Sequence, residues 1–354
     1  MGARTRGLAN NVLSSGKLDA TDAISGTIAA GNIANASLDN ATTYGSVAVG
    51  VSQVASDPPS PAEGDIWYNT TTGTLRFRAQ AGAWASGGSL NTARFRLMGA
   101  GTQPAALATG GFSTVYSGAT ELYDGTSWTE VNDLNAGTIE AGSNGTQTSA
   151  LIYGGRSPTP TTKTESWNGT SWTEVNNLNQ DRNGVGGAGA DNTSALGFGG
   201  YQIPGSRYVT ESWNGTSWTE VNDLNSVPAD VGFGTQTSAI ASGGSTESWN
   251  GTSWTEVSDL NTPRFQSGTS GLSNSSGLLF GGTPEPAGTA ATEEWNGTSW
   301  TEVNDLNVGE YGIGGAAQGT TSASLAFGGG SPPAPSKSAA TEEWSYSDTT
   351  FTVG

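Results

Sequence analysis

The chain has 354 residues, of which 54 are glycine and 14 proline; only 12% are charged, and the net charge is −18. Few aliphatic side chains together with this charge are typical of disorder, but the 12 tryptophans supply large apolar surfaces for a core. The absence of cysteine and histidine excludes disulfide scaffolds, thiolate nucleophiles, Cys/His zinc sites and imidazole-based triads.

Residues 1–56 form a low-complexity segment in which apolar residues recur every five positions. Period five fits neither an α-helix nor a plain strand, and predicts either one side of a β-solenoid or a shaft wrapped by several chains. So short a segment does not bury a core alone, so we expect it to anchor the protein and to self-associate, with a homotrimer favoured. The residues expected to do so are Leu13, Leu18, Ile28, Ile33 and Leu38.

Residues 57–91 begin with a stiff proline-rich linker, Asp57-Pro58-Pro59-Ser60-Pro61. The stretch from Gly64 to Arg78 then predicts a β-hairpin, and Ala83-Trp84 begins a third strand. Two interpretations are open for this stretch. It is either a separate small collar or an incomplete seventh unit of the repeat that follows.

Residues 92–354 contain six copies of an internal repeat. Paired glycines mark each copy and follow one another at 44, 45, 44, 38 and 47 residues, beginning at Gly110-Gly111. After each pair comes a block such as Thr164-Glu165-Ser166-Trp167-Asn168-Gly169-Thr170-Ser171-Trp172. The aromatic positions expected to build the core are Trp128, Trp167, Trp172, Trp213, Trp218, Trp249, Trp254, Trp295, Trp300 and Trp344.

Each copy predicts four antiparallel strands. The Asn-Gly step between two apolar runs favours a hairpin, with a two-residue or a four-residue loop, and either loop puts both tryptophans on one face. Units of about 44 residues with four strands are typical of β-propeller blades. The sequence therefore predicts an all-β fold, a propeller with six or possibly seven blades behind an N-terminal shaft.

The repeat resembles the kelch family, in the strand that ends in Gly-Gly, the aromatic residue that ends the next strand and the second Trp shortly after it. The sixth copy departs from the pattern, because Phe351 stands where the second Trp is expected, and this suggests a terminal strand that closes the ring. Residues 1–56 and the Gly64–Arg78 hairpin are similar to sequences near the base of bacteriophage tail fibres.

The acidic charge belongs to the repeat region alone. Residues 1–96 carry a net charge of +1, and residues 97–354 carry −19. A surface with this charge repels phosphate backbones, so we expect no nucleic-acid partner. The acids that recur once per unit, such as Glu130 and Asp133, are interpreted as solvated charge on outer strands rather than as calcium ligands. We expect no metal and no cofactor, and neither a signal peptide nor a membrane-inserted segment.

One face of the predicted propeller is diversified. The turns between third and fourth strands repeat Asn-Gly-Thr-Ser, whereas the connections between second and third strands, and those between blades, differ in every copy. Connecting loops carry recognition on many rigid scaffolds. The residues on this face with aromatic or cationic groups suited to a sugar or a carboxylate are Arg156, Arg182, Tyr201, Arg207, Tyr208, Arg264 and Tyr311.

These observations favour a structural protein of a virion, of the receptor-binding, tail-fibre type. The N-terminal segment would attach to other virion proteins, and the propeller would bind a glycan or protein on the host cell surface. A kelch-type adaptor that binds another protein is the alternative. We do not expect an enzyme, although residue types alone leave a carboxylate-pair glycosidase open.

Overall fold

The structure is a computed structural model that describes residues 51–353 except 63, 203–204, 207, 227–228, 284–287 and 332–335. The predicted self-association residues from Leu13 to Leu38, and Arg207, lie outside these residues. The described part of the chain is all-β and contains no helix, which confirms the all-β part of the predicted fold. Accordingly, no helix of sufficient length and apolarity to cross a membrane occurs among the described residues.

The chain divides into two compact units. The ring unit spans Ala83–Ser345, and the flanking unit joins the residues up to Gly82 with Tyr346–Gly354. The repeat alone suggested that the ring starts at residue 92. The ring unit starts earlier because Trp84 belongs to it.

The flanking unit contains the predicted hairpin. Its strands are β1 (Ser52–Val54), β2 (Ile66–Asn69) and the first part of β3 (Thr74–Ser86). β1 pairs in parallel with β2, and β2 pairs antiparallel with β3, with Ile66 opposite Phe77. Phe77 stacks on Phe351 with ring centroids 5.1 Å apart, so Phe351 packs in this unit and not at the position of a repeat tryptophan.

The ring unit is a propeller-like ring that contains five four-stranded antiparallel sheets, here called blades 1 to 5. Within each blade the strands follow chain order from the innermost to the outermost. Blade 1 consists of β4 (Met98–Thr102), β5 (Ala105–Thr109), β6 (Thr120–Tyr123) and β7 (Trp128–Glu130); blade 2 of β8 (Gly142–Thr146), β9 (Ser149–Tyr153), β10 (Thr164–Trp167) and β11 (Trp172–Val175). Blade 3 consists of β12 (Gly186–Asp191), β13 (Ser194–Phe198), β16 (Thr210–Trp213) and β17 (Trp218–Val221), with the small hairpin β14 (Tyr201–Gln202) and β15 (Gly205–Ser206) in its loop. Blade 4 consists of β18 (Ala229–Thr235), β19 (Ser238–Gly243), β20 (Glu247–Trp249) and β21 (Trp254–Glu256); blade 5 of β22 (Gly268–Ser273), β23 (Ser276–Phe280), β24 (Thr292–Trp295) and β25 (Trp300–Val303).

A further sheet, here called the closing sheet, contains strands from both ends of the repeat region. Its strands in the ring unit are β26 (Gly314–Gly315), β27 (Ala323–Phe327), residues 341–345 of β30 (Thr341–Val353) and residues 83–86 of β3. The small hairpin of β28 (Gly330–Ser331) and β29 (Ser336–Lys337) lies in its loop. The innermost strands β4, β8, β12, β18, β22 and β26 contact one another in that order, and β26 contacts β4.

The paired tryptophans pack as their spacing predicts. Trp167 lies directly opposite Trp172 across a four-residue loop, and the two ring centroids are 5.2 Å apart. The loop is held by Asn168, whose Oδ1 accepts hydrogen bonds of 2.9 Å from the N–H groups of Thr170 and Ser171. Gly169 has a φ of 90°, a conformation that favours glycine. The repeated Asn-Gly-Thr-Ser is therefore explained by turn chemistry.

Two kinds of hydrogen-bonded link join neighbouring blades. In blades 1 to 4 the outer tryptophan donates its indole N–H to a threonine of the preceding sheet, for example Trp172 to Thr120 at 3.0 Å. In blade 5 the indole N–H of Trp300 is buried without a partner among the described residues. The Asn of each Leu-Asn pair donates to a buried glutamate of the following blade, for example Asn135 to Glu165 at 2.9 Å from its backbone and 2.6 Å from its side chain. The glutamates of the Thr-Glu-Ser-Trp blocks are thus structural groups.

Trp84 occupies the place of the missing second tryptophan of the sixth copy. Its ring centroid is 5.4 Å from that of Trp344, the separation found within the repeat hairpins. Its indole donates to Thr292 of blade 5 at 3.0 Å, and its carbonyl accepts from Asn307 at 3.4 Å. Trp172 makes the same two contacts between blades, with Thr120 and Asn135. Trp84, and not Phe351, therefore fills this position.

Candidate functional site

A cavity of about 570 Å³ lies on the axis of the ring unit and is here called the cup. All six innermost strands line it, through Met98, Ser143, Gly187, Gly232, Thr269 and Gly315. Tyr201 and Thr283, which begin connections between second and third strands, line it as well. The cup therefore reaches the face that carries these diversified connections, here called the variable-loop face.

The opposite end of the cup is crossed by Gln318. Its backbone N–H donates to the carbonyl of Gly101 at 2.8 Å, and its Nε2 donates to the carbonyl of Gly189 at 2.7 Å. Gly189 belongs to β12, which lies across the ring from the closing sheet that carries Gln318. This side chain forms a floor, so a solute enters the cup from the variable-loop face.

The rim of the cup is built from one equivalent residue per sheet, six positions after the leucine of each Leu-Asn pair. Backbone hydrogen bonds run from rim residue to rim residue: Arg96 N–H to Gly312 O at 2.6 Å, Gly184 N–H to Glu140 O at 2.7 Å, and Gly312 N–H to Gln266 O at 2.8 Å. The six rim residues are Arg96, Glu140, Gly184, Asp230, Gln266 and Gly312.

Three rim residues hold an uncommon backbone conformation. Arg96, Glu140 and Gln266 have φ values of 56°, 56° and 55°, and they are the only residues other than glycine with positive φ in the described part of the chain. A side chain in this region costs on the order of 1 kcal/mol, and such residues concentrate at functional sites. In this conformation the backbone N–H and C=O groups point along the rim and form hydrogen bonds to the neighbouring rim residues. The side chains are left at the mouth of the cup.

One side of the rim is a closed polar network around Glu140. Its Oε1 pairs with Arg96 at 2.7 Å, and its Oε2 accepts from Asn183 at 2.7 Å and lies 3.8 Å from Arg156. Both carboxylate oxygens therefore have partners. This side offers a bound molecule a mixture of donors and acceptors already held in position.

The other side of the rim carries acceptors that lack donors. Asp230 accepts from the backbone N–H of Gln266 at 2.9 Å through Oδ2, but its Oδ1 is buried with no hydrogen-bond partner among the described residues. The Oε1 of Gln266 is likewise buried with no hydrogen-bond partner among the described residues. Burial raises the pKa of the Asp230 carboxyl to about 7, and the charge of Glu140 adds to this effect.

The raised pKa of Asp230 gives the fold a pH dependence. The ordinary value is 3.8, so the folded chain keeps a proton that the unfolded chain has lost, and the resulting stability, full below pH 4, is lost as the pH rises through 7. We expect Asp230→Asn to gain on the order of 1–2 kcal/mol relative to the wild type between pH 5 and pH 8. Urea unfolding of both proteins at the two pH values measures this, and a difference that stays constant with pH would contradict it.

The structure places the predicted surface residues in three settings. Tyr201 lines the cup and is 46% exposed; Arg156 lies beside Glu140. Tyr208 is exposed outside the cup, and Tyr311 packs edge-on against Phe95 at 5.9 Å.

Arg182 and Arg264 are in the interior. They are 0% and 1% exposed and pair with Glu211 and Glu293 at 3.0 and 2.8 Å. A ligand outside the ring does not reach either guanidinium, because both are buried in these ion pairs. The candidate surface is therefore drawn without them.

None of the six rim residues was identified as a site residue from the sequence. Arg96, Glu140, Asp230 and Gln266 are of four residue types, so they do not stand out as a repeated motif. Their constant distance of six residues from the leucine of each Leu-Asn pair is visible in the sequence and marks them. Polar residues at four of the six positions are the signal that was available.

A scan against models of known protein families finds no match, and a search among curated proteins finds no relative. The cup, with its floor and its rim, is therefore the basis for the proposed function.

Proposed function

We propose that this protein is a receptor-binding component of a virion, of tail-fibre type, and that the cup binds a glycan of the host cell surface. The observation that carries the proposal is a blind cavity whose mouth lies on the face where the repeat is diversified. Ligand sites are concave and combine apolar walls with a few placed polar groups. The cup has both features.

The chemistry of the rim supports a sugar as the ligand. Tyr201 and Phe265 line the cup and are 46% and 40% exposed, so two aromatic rings are available to stack on the C–H face of a pyranose. The unpartnered oxygens of Asp230 and Gln266 require donors, and sugar hydroxyl groups supply them. Arg96 and Asn183 on the opposite side provide donors for ring and hydroxyl oxygens.

A six-bladed, kelch-type ring is part of this proposal. The closing sheet supports a count of six, because Trp84 makes the two links found between blades, and Trp128 of blade 1 donates to Thr341 of the closing sheet at 2.9 Å. In this arrangement residues 83–86, from before the repeat, share one blade with strands of its sixth copy. The propeller then ends where it begins.

The N-terminal segment has the complementary role in the proposal. Residues 1–56, with Leu13, Leu18, Ile28, Ile33 and Leu38 on their period-five line, would join three copies of the chain and attach them to other virion proteins. The small, near-neutral composition of this segment supports close packing between chains. The acidic ring would be displayed outward on the particle.

Binding without catalysis is favoured by the state of the two carboxylates at the rim. Hydrolysis of a glycoside needs one carboxyl to protonate the leaving oxygen and another to act as base or nucleophile. Both oxygens of Glu140 already have partners, and Oδ1 of Asp230 is buried. Only Asp230 keeps an unpartnered oxygen, so the two carboxyls do not together supply an acid and a free base or nucleophile.

Filling the mouth of the cup tests the proposal. Gly184→Arg adds a side chain at the rim, where the nearest atom to a new Cβ is the Cβ of Asp230 at 3.7 Å. The φ of 64° at Gly184 is close to that of Arg96, which carries the same side chain at an equivalent rim position. We expect binding to bacterial surface glycans on an array, and to whole cells, to fall by about tenfold or more. The full-length protein is used in both assays.

Gly205→Arg is the matched control, because it adds the same charge on the loop hairpin of blade 3, where a new Cβ meets no atom within 4 Å. The control is expected to bind as the wild type does. Equal binding by the Gly184→Arg variant, or no glycan bound by the wild type, would contradict the proposal.

A protein partner is the second candidate, and a specific patch favours it. Phe95, Phe112 and Tyr116 form a chain of edge-on rings at 5.8 and 5.7 Å, and the neighbouring Val115 is 63% exposed. Exposed apolar groups of this kind suit a protein surface. If a soluble protein is retained by the immobilised chain and Val115→Asp abolishes its retention, while no cell surface is bound, the adaptor function replaces the proposed one.

A further inference from the structure

Blades 1, 3 and 5 each contain a buried arginine at the same position of the blade. Arg94 of blade 1 pairs with Glu121 at 2.8 Å and donates to the carbonyl of Gly110 at 2.8 Å. Arg182 of blade 3 pairs with Glu211 at 3.0 Å and donates to the carbonyl of Gly199 at 3.1 Å. Arg264 of blade 5 pairs with Glu293 at 2.8 Å. Each guanidinium thus neutralises the glutamate that links its blade to the preceding one.

Thr138 stands at the same position in blade 2. The backbone carbonyls of Arg94, Thr138 and Arg182 each accept a hydrogen bond of 2.8 to 2.9 Å from the second glycine of a Gly-Gly pair, so the three backbones are equivalent. The spacing agrees, since each residue lies four positions after the leucine of a Leu-Asn pair. Blade 2 therefore keeps the backbone site and lacks the guanidinium.

A cavity of about 330 Å³ occupies the place of the missing side chain. Thr138, Gly154, Lys163 and Glu165 line it, and the last three are the counterparts of Gly110, Ala119 and Glu121 around Arg94. Glu165 is 5% exposed; its Oε2 accepts both hydrogen bonds from Asn135, and its Oε1 has no partner among the described residues. A carboxylate oxygen of this buried residue thus lies without a hydrogen-bond partner at a cavity that has the acceptors of an arginine site.

The two remaining sheets differ from blade 2 around the corresponding glutamate. In blade 4, Oε1 of Glu247 accepts from the N–H of Ser226 at 2.9 Å and from its hydroxyl at 3.0 Å. In the closing sheet, Glu310 stands at the arginine position, and burial raises its pKa to about 7. Blade 2 thus combines a cavity at the arginine position with an unpaired glutamate oxygen.

We infer that the cavity of blade 2 binds a guanidinium group from another molecule, with Glu165 as its counter-ion and the carbonyls of Gly154 and Lys163 as further acceptors. Bidentate and charge-assisted hydrogen bonds make guanidinium the cation that suits a carboxylate flanked by carbonyls. This site is separate from the cup and does not depend on what the cup binds.

The approach to the site is from the variable-loop face. The outer part of the cavity is lined by the loop between β9 and β10, where Thr159 is exposed and Ser157, Pro160 and Thr161 are half-buried. A protruding arginine of a protein and a free guanidinium compound carry the same recognisable chemistry. The test below separates these two sources.

Binding of n-butylguanidinium to the full-length protein, followed by titration calorimetry, tests the inference. We expect measurable binding that n-butylurea, its neutral counterpart, does not show, because the charge is what Glu165 recognises. A short acetylated peptide with one arginine forms a second arm, with citrulline in the control peptide. Tighter binding of the peptide than of n-butylguanidinium identifies a protein arginine as the ligand, and the reverse identifies a small molecule.

Thr138→Arg is the decisive variant, because it supplies from within the guanidinium that the sister blades have. We expect it to unfold as cooperatively as the wild type and to lose n-butylguanidinium binding by about tenfold or more. Thr170→Arg, at an exposed turn on the opposite face, adds the same charge and is expected to bind as the wild type does. Glu165→Gln provides a second variant and is expected to weaken binding to a similar extent.

Undiminished n-butylguanidinium binding in a folded Thr138→Arg variant overturns the inference. Equal binding of n-butylurea and n-butylguanidinium by the wild type overturns it as well. Gly184→Arg, which fills the cup, is expected to leave this binding unchanged, so failure here and failure of the glycan proposal are distinguishable.

Discussion

Replacement of Trp84 by alanine is expected to lower the free energy of unfolding by about 3–5 kcal/mol. Trp84 is 7% exposed, packs against Phe280 and Trp344 with centroids at 4.9 and 5.4 Å, and donates to Thr292. The variant loses this buried aromatic surface together with the hydrogen bond. Urea unfolding of the full-length chain, followed by tryptophan fluorescence and by circular dichroism, gives the difference.

Two further variants make the result specific to the closing sheet. Trp172→Ala removes the equivalent tryptophan of blade 2 and is expected to cost a similar amount, since Trp172 is 6% exposed and makes the same link to Thr120. Phe351→Ala, in the flanking unit, is expected to leave the main unfolding transition of the ring unchanged. If Phe351→Ala destabilises that transition as much as Trp84→Ala does, the assignment of Trp84 to the ring is wrong.

Arg182→Met is expected to destabilise the protein by about 3–5 kcal/mol, because it leaves the carboxylate of Glu211 buried and without its counter-ion. Arg182 and Glu211 are both 0% exposed in their side chains, and Arg182 also bonds the carbonyl of Gly199. Thermal and urea unfolding of the single variant measure the loss.

Addition of Glu211→Gln to Arg182→Met is expected to recover much of that loss. Glutamine removes the unpaired charge and keeps an oxygen to accept from the N–H and side chain of Asn179, which now bond Glu211 at 2.8 and 2.7 Å. A double variant no more stable than Arg182→Met would show that the cost comes from lost packing and not from the buried charge.

The local parts of the fold were predictable because they are written within single copies of the repeat. The hairpin of Trp167 and Trp172, the four-stranded blades and the all-β class follow from residues close together in sequence. The place of Trp84 was not predictable in this way, because 208 residues separate it from Thr292. The repeat period and the turn residues give information about residues that are close together along the chain. Ring closure instead pairs residues 83–86 with residues 341–345, which are far apart in sequence.

The candidate site was predictable as a face but not as a set of residues. Diversified loops pointed to one face of the predicted ring, and Tyr201 of that face lines the cup. The same argument selected Arg182 and Arg264 by residue type, whereas burial decides what a charged side chain does. Their glutamate partners stand in the repeated Thr-Glu-Ser-Trp and Thr-Glu-Glu-Trp blocks, and that repetition was interpreted as a scaffold feature only after the contacts were visible.

The closing sheet has a consequence for how the protein forms during synthesis. Residues 83–86 leave the ribosome long before the strand beside them, residues 341–345, is made. Pairing between segments so far apart is slow because a long loop must be ordered first. Until residues 341–345 are made, residues 83–86 lack their partner strand in the ring. Every truncated product that stops before residue 341 therefore lacks a strand of the ring. Only a chain that contains residues 341–345 can therefore acquire the stability that this strand gives to the ring.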